Sequence, residues 1–154
     1  PELDPLDTGY NAIQSKIAIG AGKIFGTGLL HGTQTQFGYL PVKSSDFIFS
    51  AISEEMGFVA SAAIIIIYTI MIIRMINISN TAKDNFGAIV AIGIAGMYMF
   101  HLIENVGMTL GLLPITGIPL LLVSYGGSSM LTSFISLGLL LSISGRRQRS
   151  LFVR

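Results

Sequence analysis

From Met56 to Ile73 the chain runs for 18 residues without a charge, bounded by Glu54 and Glu55 on one side and Arg74 on the other. Its Ile64-Ile65-Ile66-Ile67 run would read as a strand in water. In lipid an open strand edge leaves backbone groups unsatisfied, so a run of this length must be a spanning helix. Composition agrees: 51% of the 154 residues are hydrophobic, 11% are charged and the mean hydropathy is +0.72. A water-soluble domain carries roughly 25% charged residues, so most of this surface faces lipid.

Two further spans follow, giving spans at about 56–75, 86–112 and 126–144 and a tail at 145–154. The uncharged region from Asn105 to Gly145 has room for two helices, but Pro114, Gly117 and Pro119 interrupt its first half and Tyr125-Gly126-Gly127 breaks it again. Residues 114–125 are therefore expected to form a broken or re-entrant segment at the membrane face. The fold class is all-α: a polytopic membrane protein whose long loop, 1–55, carries short helices ahead of the membrane domain, 56–154.

Charge selects the topology. Three spans put Lys16, Lys23 and Lys43 on one face and Arg74, Lys83, Arg146, Arg147, Arg149 and Arg154 on the other, three cations against six. The side richer in Lys and Arg is cytoplasmic, which places the loop outside and the tail inside. A fourth span would send the Arg-rich tail outside. The net charge of +1 gives no case for nucleic acid, and the lack of Cys excludes disulfides and thiolate metal sites. No signal peptide is visible, because the chain opens on acidic, Pro-containing residues. A membrane protein with this start reads as cut from something longer.

Within the loop, Tyr10, Ile13 and Ile17 predict a short amphipathic helix over 10–19 lying on the bilayer surface. Gly20, Gly22, Gly26, Gly28 and Gly32 follow. They fit neither phosphate fingerprint: Ile17 stands where a Walker A needs its first glycine, and Gly26 comes one residue late for G-x-G-x-x-G. They read either as a turn between short helices or as a backbone-amide surface beside Lys16 and Lys23 that faces a diphosphate.

Asp46, after Ser44-Ser45, stands at the start of the helix that enters the first span. It reads as a helix N-cap or as a site carboxylate. Ser50 and Glu54, four and eight residues on, would extend one polar stripe from it to the bilayer surface, while Glu54 and Glu55 otherwise simply mark the interface. His101 and Glu104 share a face of the second span with Asn105 beside them. Ionisable residues there are either functional or held by an ordinary hydrogen bond. With two His and no Cys a transition-metal site is disfavoured, although Mg²⁺ needs only one or two carboxylates plus phosphate oxygens.

Several ungapped motifs carry a family resemblance. Tyr10-Asn11, Gln14-Ser15-Lys16, Ile17-Ala18-Ile19-Gly20 and His31-Gly32-Thr33-Gln34 resemble the large extracytoplasmic loop of the SEDS family of cell-wall glycan polymerases. Tyr39-Leu40-Pro41, Asp46-Phe47-Ile48-Phe49, Glu54-Glu55-Met56-Gly57 and Asn105-Val106-Gly107-Met108 continue the likeness, as do Leu113 to Pro119 and Ser124-Tyr125-Gly126-Gly127-Ser128. The His31 to Gln34 stretch is similar to the RodA (elongation) branch rather than the FtsW (division) branch. The likeness runs through essentially the whole chain but covers only the family's last three spans and the loop before them, the C-terminal portion.

The resemblance implies a peptidoglycan glycosyltransferase of the bacterial cytoplasmic membrane, acting in cell elongation and shape maintenance. It would join lipid II disaccharide-peptide units to a nascent glycan strand with release of undecaprenyl diphosphate, beside a class B penicillin-binding protein that cross-links the strand. Asp46 matches the aspartate regarded as essential for polymerisation. An ordinary Asp, with a pKa of about 3.9, is a weak general base for a sugar hydroxyl. Asp46 is therefore expected to be desolvated at the membrane face or to position a divalent cation (Mg or Mn); no organic cofactor is implied. Lys16, Lys23 and Lys43 are expected at the diphosphate and Gln34 and Gln36 at sugars, with Ser50, Glu54, Glu55, His101 and Glu104 as supporting polar groups. Ser44-Ser45 departs from the family's usual His-Thr, and Leu121 replaces a third proline, so the turn after Pro119 is expected to be less rigid. The rival readings are a lipid II flippase working through the broken helix and His101/Glu104, and a non-catalytic membrane scaffold.

Overall fold

The computed structural model describes residues 8–28 and 46–146. Four helices make up the regular structure of these residues: α1 (Thr8–Ala21), α2 (Ile48–Asn80), α3 (Asn85–Thr109) and α4 (Gly127–Gly145). The last three are long and apolar enough to cross a membrane. The chain is a multi-pass membrane protein with the all-helical architecture expected from its sequence.

Lipid is as apolar as Leu, so these helices gain little by hiding large side chains from it. Phe58, Ile66, Ile67, Phe86, Ile89, Phe134, Ile135 and Leu141 all point outward. Contacts between helices run through small residues instead. Gly87, Ala91 and Ala95 are buried on α3, and Ser133 and Ser136 on α4. The Tyr98 hydroxyl lies 3.3 Å from the Ser133 carbonyl oxygen and 3.3 Å from the Ser136 hydroxyl. Tyr68, Ile72 and Met75 of α2 complete the core with Ile94 of α3, Leu140 of α4, and Leu120 and Leu121 from the connection between α3 and α4.

Helix ends follow local chemistry. Asp84 caps α3 by accepting from Gly87 N at 3.0 Å. At the other end, Gly111 adopts a left-handed φ of 70° and the amides of Leu112 and Leu113 turn back to the Gly107 carbonyl. The helix of the second span therefore ends at Thr109.

The first span is longer than its uncharged stretch and is broken. Gly57, at φ 75° and ψ −171°, interrupts α2. In a continuous helix Phe58 N would donate to Glu54 O and Val59 N to Glu55 O. Here the glycine-rich segment takes over all four groups. Thr27 N donates to Glu54 O (2.9 Å) and Gly28 N to Glu55 O (3.1 Å), while Phe58 N donates to Lys23 O (3.0 Å) and Val59 N to Ile24 O (3.3 Å). Break and glycine segment are thus one feature. Irregular backbone at a membrane face survives because protein satisfies it.

The short helix expected over 10–19 is present as α1, and Ile13 and Ile17 lie on its exposed side. α1 buries Ala12, Ser15 and Ala18 and turns Ile13 and Ile17 outward. Small residues win the inward face because α1 packs closely on the broken part of α2. A β-carbon at Gly22 would overlap the Ser53 carbonyl.

Candidate functional site

Asp46 occupies the turn directly before α2, at the end of the helices where α3 stops and α4 starts. It does not cap α2: the N-cap residue is Phe47, with no side-chain capping bond. The carboxylate instead reaches the α3–α4 connection. A β-carbon at Gly117 would stand 3.2 Å from Asp46 Oδ2, and Gly117 has a φ of 68°. Asp46 is half-buried.

The ground beneath it is tied from α3. Fully buried Asn105 sends Nδ2 to two backbone oxygens, Asp46 O at 2.9 Å and Ile118 O at 2.8 Å. One turn earlier, His101 Nδ1 lies 2.8 Å from Pro119 O, so that nitrogen carries the proton. Thr116 Oγ1 donates to Glu104 Oε1 at 3.0 Å. Three consecutive polar residues of the α3 face thus hold 116–119 in place. The segment then descends to bury Leu120 and Leu121 in the core, which is the re-entrant course expected of it. Leu121 does not leave the turn loose: Leu120 N donates to Ser124 Oγ and Ser124 N to Leu120 O, both at 2.8 Å.

Beneath Asp46, Ser50 donates to Ser15 Oγ (2.6 Å), which donates to Thr109 O (2.7 Å), stitching α1, α2 and α3 at one point. Ser50 and Glu54 are fully buried. The polar stripe from Asp46 is real but faces the interior, so Glu54 is not an interfacial marker; Glu55 is half-buried. Sequence reasoning missed Ser15, Asn105 and Gly117 as site-forming residues. The row Ala12, Ser15, Ala18, Gly22 was the available signal for the first of these, since small residues at helical spacing mark close packing.

Lys16 lies against Gly111 at the end of α3, where a β-carbon would come within 2.7 Å of Nζ. Its charge suits the negative end of that helix. Lys23 lines a cavity of about 350 Å³ with Phe49, Ser53, Phe58 and Ser61, which Asp46 does not line. The glycine-rich amides do not form an open anion surface. Those of Gly22, Lys23, Gly26, Thr27 and Gly28 all donate to carbonyls. Lys43, Gln34 and Gln36 lie outside the described residues. Among the described residues no group of three or more His, Cys, Asp or Glu converges. A metal held wholly by protein side chains does not fit there; a hard cation shared between one carboxylate and phosphate oxygens does.

The family model described as "Cell cycle protein", covering FtsW, RodA and SpoVE, matches residues 1–149. The chain is 50% identical over 147 residues to the peptidoglycan glycosyltransferase RodA of Treponema pallidum, covering 96% of this chain and 34% of that protein. It is 43% identical over 148 residues to the peptidoglycan glycosyltransferase MrdB of Escherichia coli K12, covering 96% and 40%. Among solved structures it superposes, with a TM-score of 0.76 and 29% identity, on a chain described under "Structural coordination of polymerization and crosslinking by a peptidoglycan synthase complex". That match covers 95% of this chain and 39% of the other. The chain spans between a third and two fifths of the proteins it matches.

Proposed function

The chain belongs to the FtsW/RodA/SpoVE family of cell cycle proteins, and on that premise we propose that it is part of a peptidoglycan glycosyltransferase that polymerises lipid II. The setting of Asp46 carries the reading: one carboxylate, half-buried, resting on a pinned re-entrant segment at one end of three membrane helices. A sugar hydroxyl of one disaccharide-peptide attacks the anomeric carbon of another. The hydroxyl proton passes to Asp46, the new glycosidic bond forms, and the bond to the diphosphate breaks with its electron pair leaving on undecaprenyl diphosphate. Fixed placement of base and acceptor is the main contribution such a rigid setting makes.

Were Asp46 instead to position a divalent cation, it would supply one ligand and phosphate oxygens others, and such a cation would neutralise charge on the departing diphosphate. Of the described lysines, Lys16 is proposed to face the diphosphate, since it lies at the end of α3 nearest the turn of Asp46. Lys43, Gln34 and Gln36 are proposed to contact diphosphate and sugars.

The Asp46 end is proposed to face outward from the bacterial cytoplasmic membrane. Arg74, Lys83 and Arg146 gather toward the opposite end, which the positive-inside rule assigns to the cytoplasm. A class B penicillin-binding protein is the proposed partner, supported by the similarity to a chain from a complex described as coordinating polymerization and crosslinking. Neither a flippase nor a scaffold is favoured by a specific observation: His101 and Glu104 are engaged with Pro119 and Thr116.

The test supplies full-length protein with purified lipid II and a divalent cation and follows glycan polymer by gel. Wild type is expected to polymerise and Asp46→Ala is not. No polymer from folded wild type would sink the enzyme reading, and equal polymer from both would remove Asp46 from the mechanism.

A further inference from the structure

Asn105 is the point at which three separate pieces of the site meet. It projects from α3, and its single Nδ2 donates both to the backbone oxygen of Asp46 and to that of Ile118. Ile118 is the neighbour of Gly117, the residue against which the Asp46 carboxylate rests. One amide nitrogen thus fixes the main chain of Asp46 and the surface its carboxylate lies on, each within 2.9 Å.

The other half of the side chain is revealing. Asn105 Oδ1 is buried and has no hydrogen-bond partner among the described residues. The orientation of the amide is not in question, because two carbonyl oxygens face one end and only the NH₂ group can serve both. Buried polar groups are ordinarily satisfied. An amide kept here with its acceptor end unused marks the two-proton donor as the group the position requires. A hydroxyl offers one proton, and an apolar residue offers none.

We infer that Asn105 is a positioning residue for Asp46, holding the carboxylate in register with the re-entrant segment without itself touching substrate. Its complete burial keeps it from the reacting atoms. The inference rests on the proposed role of Asp46 and adds how that role is enforced. Losing the donor frees Asp46 O and Ile118 O to separate, and a displacement of about 1 Å is enough to lower a rate about a hundredfold. Binding of lipid II, which does not need the Asn105 amide to touch it, is expected to be left in place.

Full-length protein in lipid vesicles, given purified lipid II, is compared with Asn105→Leu (equal size, no donor), Asn105→Asp (equal shape, acceptors facing two carbonyls) and Asp46→Asn, each normalised to the folded fraction from its melting transition. Asn105→Leu and Asn105→Asp are expected to lower kcat about a hundredfold while moving KM less than about threefold. Adding Asn105→Leu to Asp46→Asn should then lower the residual rate no further, because groups that act as a unit are not additive. Wild-type kcat in Asn105→Leu, a rise in KM with kcat retained, or a further loss on the Asp46→Asn background would each overturn the inference. If Asn105→Leu gives no melting transition, Asn105→Ser decides: its one donor on a shorter arm should give an intermediate kcat, and a wild-type kcat refutes the requirement for two. Wild-type polymerisation by Asp46→Asn alone is a separate result, which refutes the role of Asp46 itself.

Discussion

The Asp46 carboxylate lies on the bare Cα of Gly117: a β-carbon built there would stand 3.2 Å from Oδ2, and the glycine holds a φ of 68°. Both facts disfavour a side chain: the carboxylate would have to give by a few tenths of an ångström, and the backbone holds a conformation that L residues rarely adopt. Gly117→Ala is therefore expected to cost about 1–2 kcal/mol of stability through the left-handed φ and to push the carboxylate off its seat. Polymerisation should fall by roughly ten- to a hundredfold at a temperature where the variant remains folded. Melting curves and initial rates on the same preparation check it, and unchanged rates would show that the approach of Asp46 to Gly117 does not matter.

Removing the carboxylate should abolish polymerisation without removing the cap of α2. Asp46 precedes the helix but supplies no capping bond; the N-cap is Phe47. An ordinary cap loses about 1 kcal/mol on mutation to Ala. Asp46→Ala should keep a cooperative melting transition and an intact start of α2, since the N-cap residue is unchanged, while losing polymerisation. Faster amide hydrogen exchange confined to the first turn of α2 would instead restore the helix-cap interpretation of this residue.

The number of spans and the broken segment after α3 were legible in the sequence because both rest on local rules: charge-free length for the one, Pro114, Gly117 and Pro119 for the other. The break at Gly57 was not. Nothing in an uncharged run says that Phe58 and Val59 will donate to Lys23 and Ile24, residues more than 30 positions earlier. For the same reason the glycines at 22–28 left an anion surface open as one reading, although the Gly22 and Gly26 amides close the turn after α1 and those of Thr27 and Gly28 complete α2. That α1 packs inward through Ala12, Ser15 and Ala18 was not legible from its hydrophobic spacing, which marks only the exposed Ile13 and Ile17. Burial by hydrophobicity is the rule in water, whereas close approach decides in lipid. In the site, Asp46 stood out only through family likeness, and Asn105 and Gly117 acquire their roles from tertiary contacts that no spacing encodes.

The polar face of α3 predicts a local effect that differs from a transport role. His101 Nδ1 and Glu104 Oε1 hold Pro119 O and Thr116 Oγ1. His101→Leu removes a hydrogen bond to the part-buried Pro119 carbonyl and should cost about 0.5–1.5 kcal/mol. The loss should appear as faster amide hydrogen exchange around Ile118 to Ser124 rather than uniformly. Thr116→Val, at a residue that is itself exposed, should cost less than about 1 kcal/mol. Exchange confined to α2 or α4 in His101→Leu would contradict the clamp.

Two glycines of the same stretch should respond in opposite directions to one methyl group. At Gly20 a β-carbon meets nothing within 4 Å, and the residue lies in the last turn of α1. Gly20→Ala therefore removes backbone freedom from the unfolded chain without a clash and should stabilise by up to about 1 kcal/mol. Two residues on, the β-carbon of Gly22→Ala would overlap the carbonyl of Ser53, backbone against backbone. That contact adjoins the exchanged hydrogen bonds at Glu54 and Glu55, so α1 cannot retreat without giving them up. Gly22→Ala should cost about 3 kcal/mol or more, the range of overpacking combined with broken buried bonds. Melting temperatures of the two variants in detergent measure the contrast directly. A Gly22→Ala protein as stable as Gly20→Ala would mean that α1 does not seal the break at Gly57.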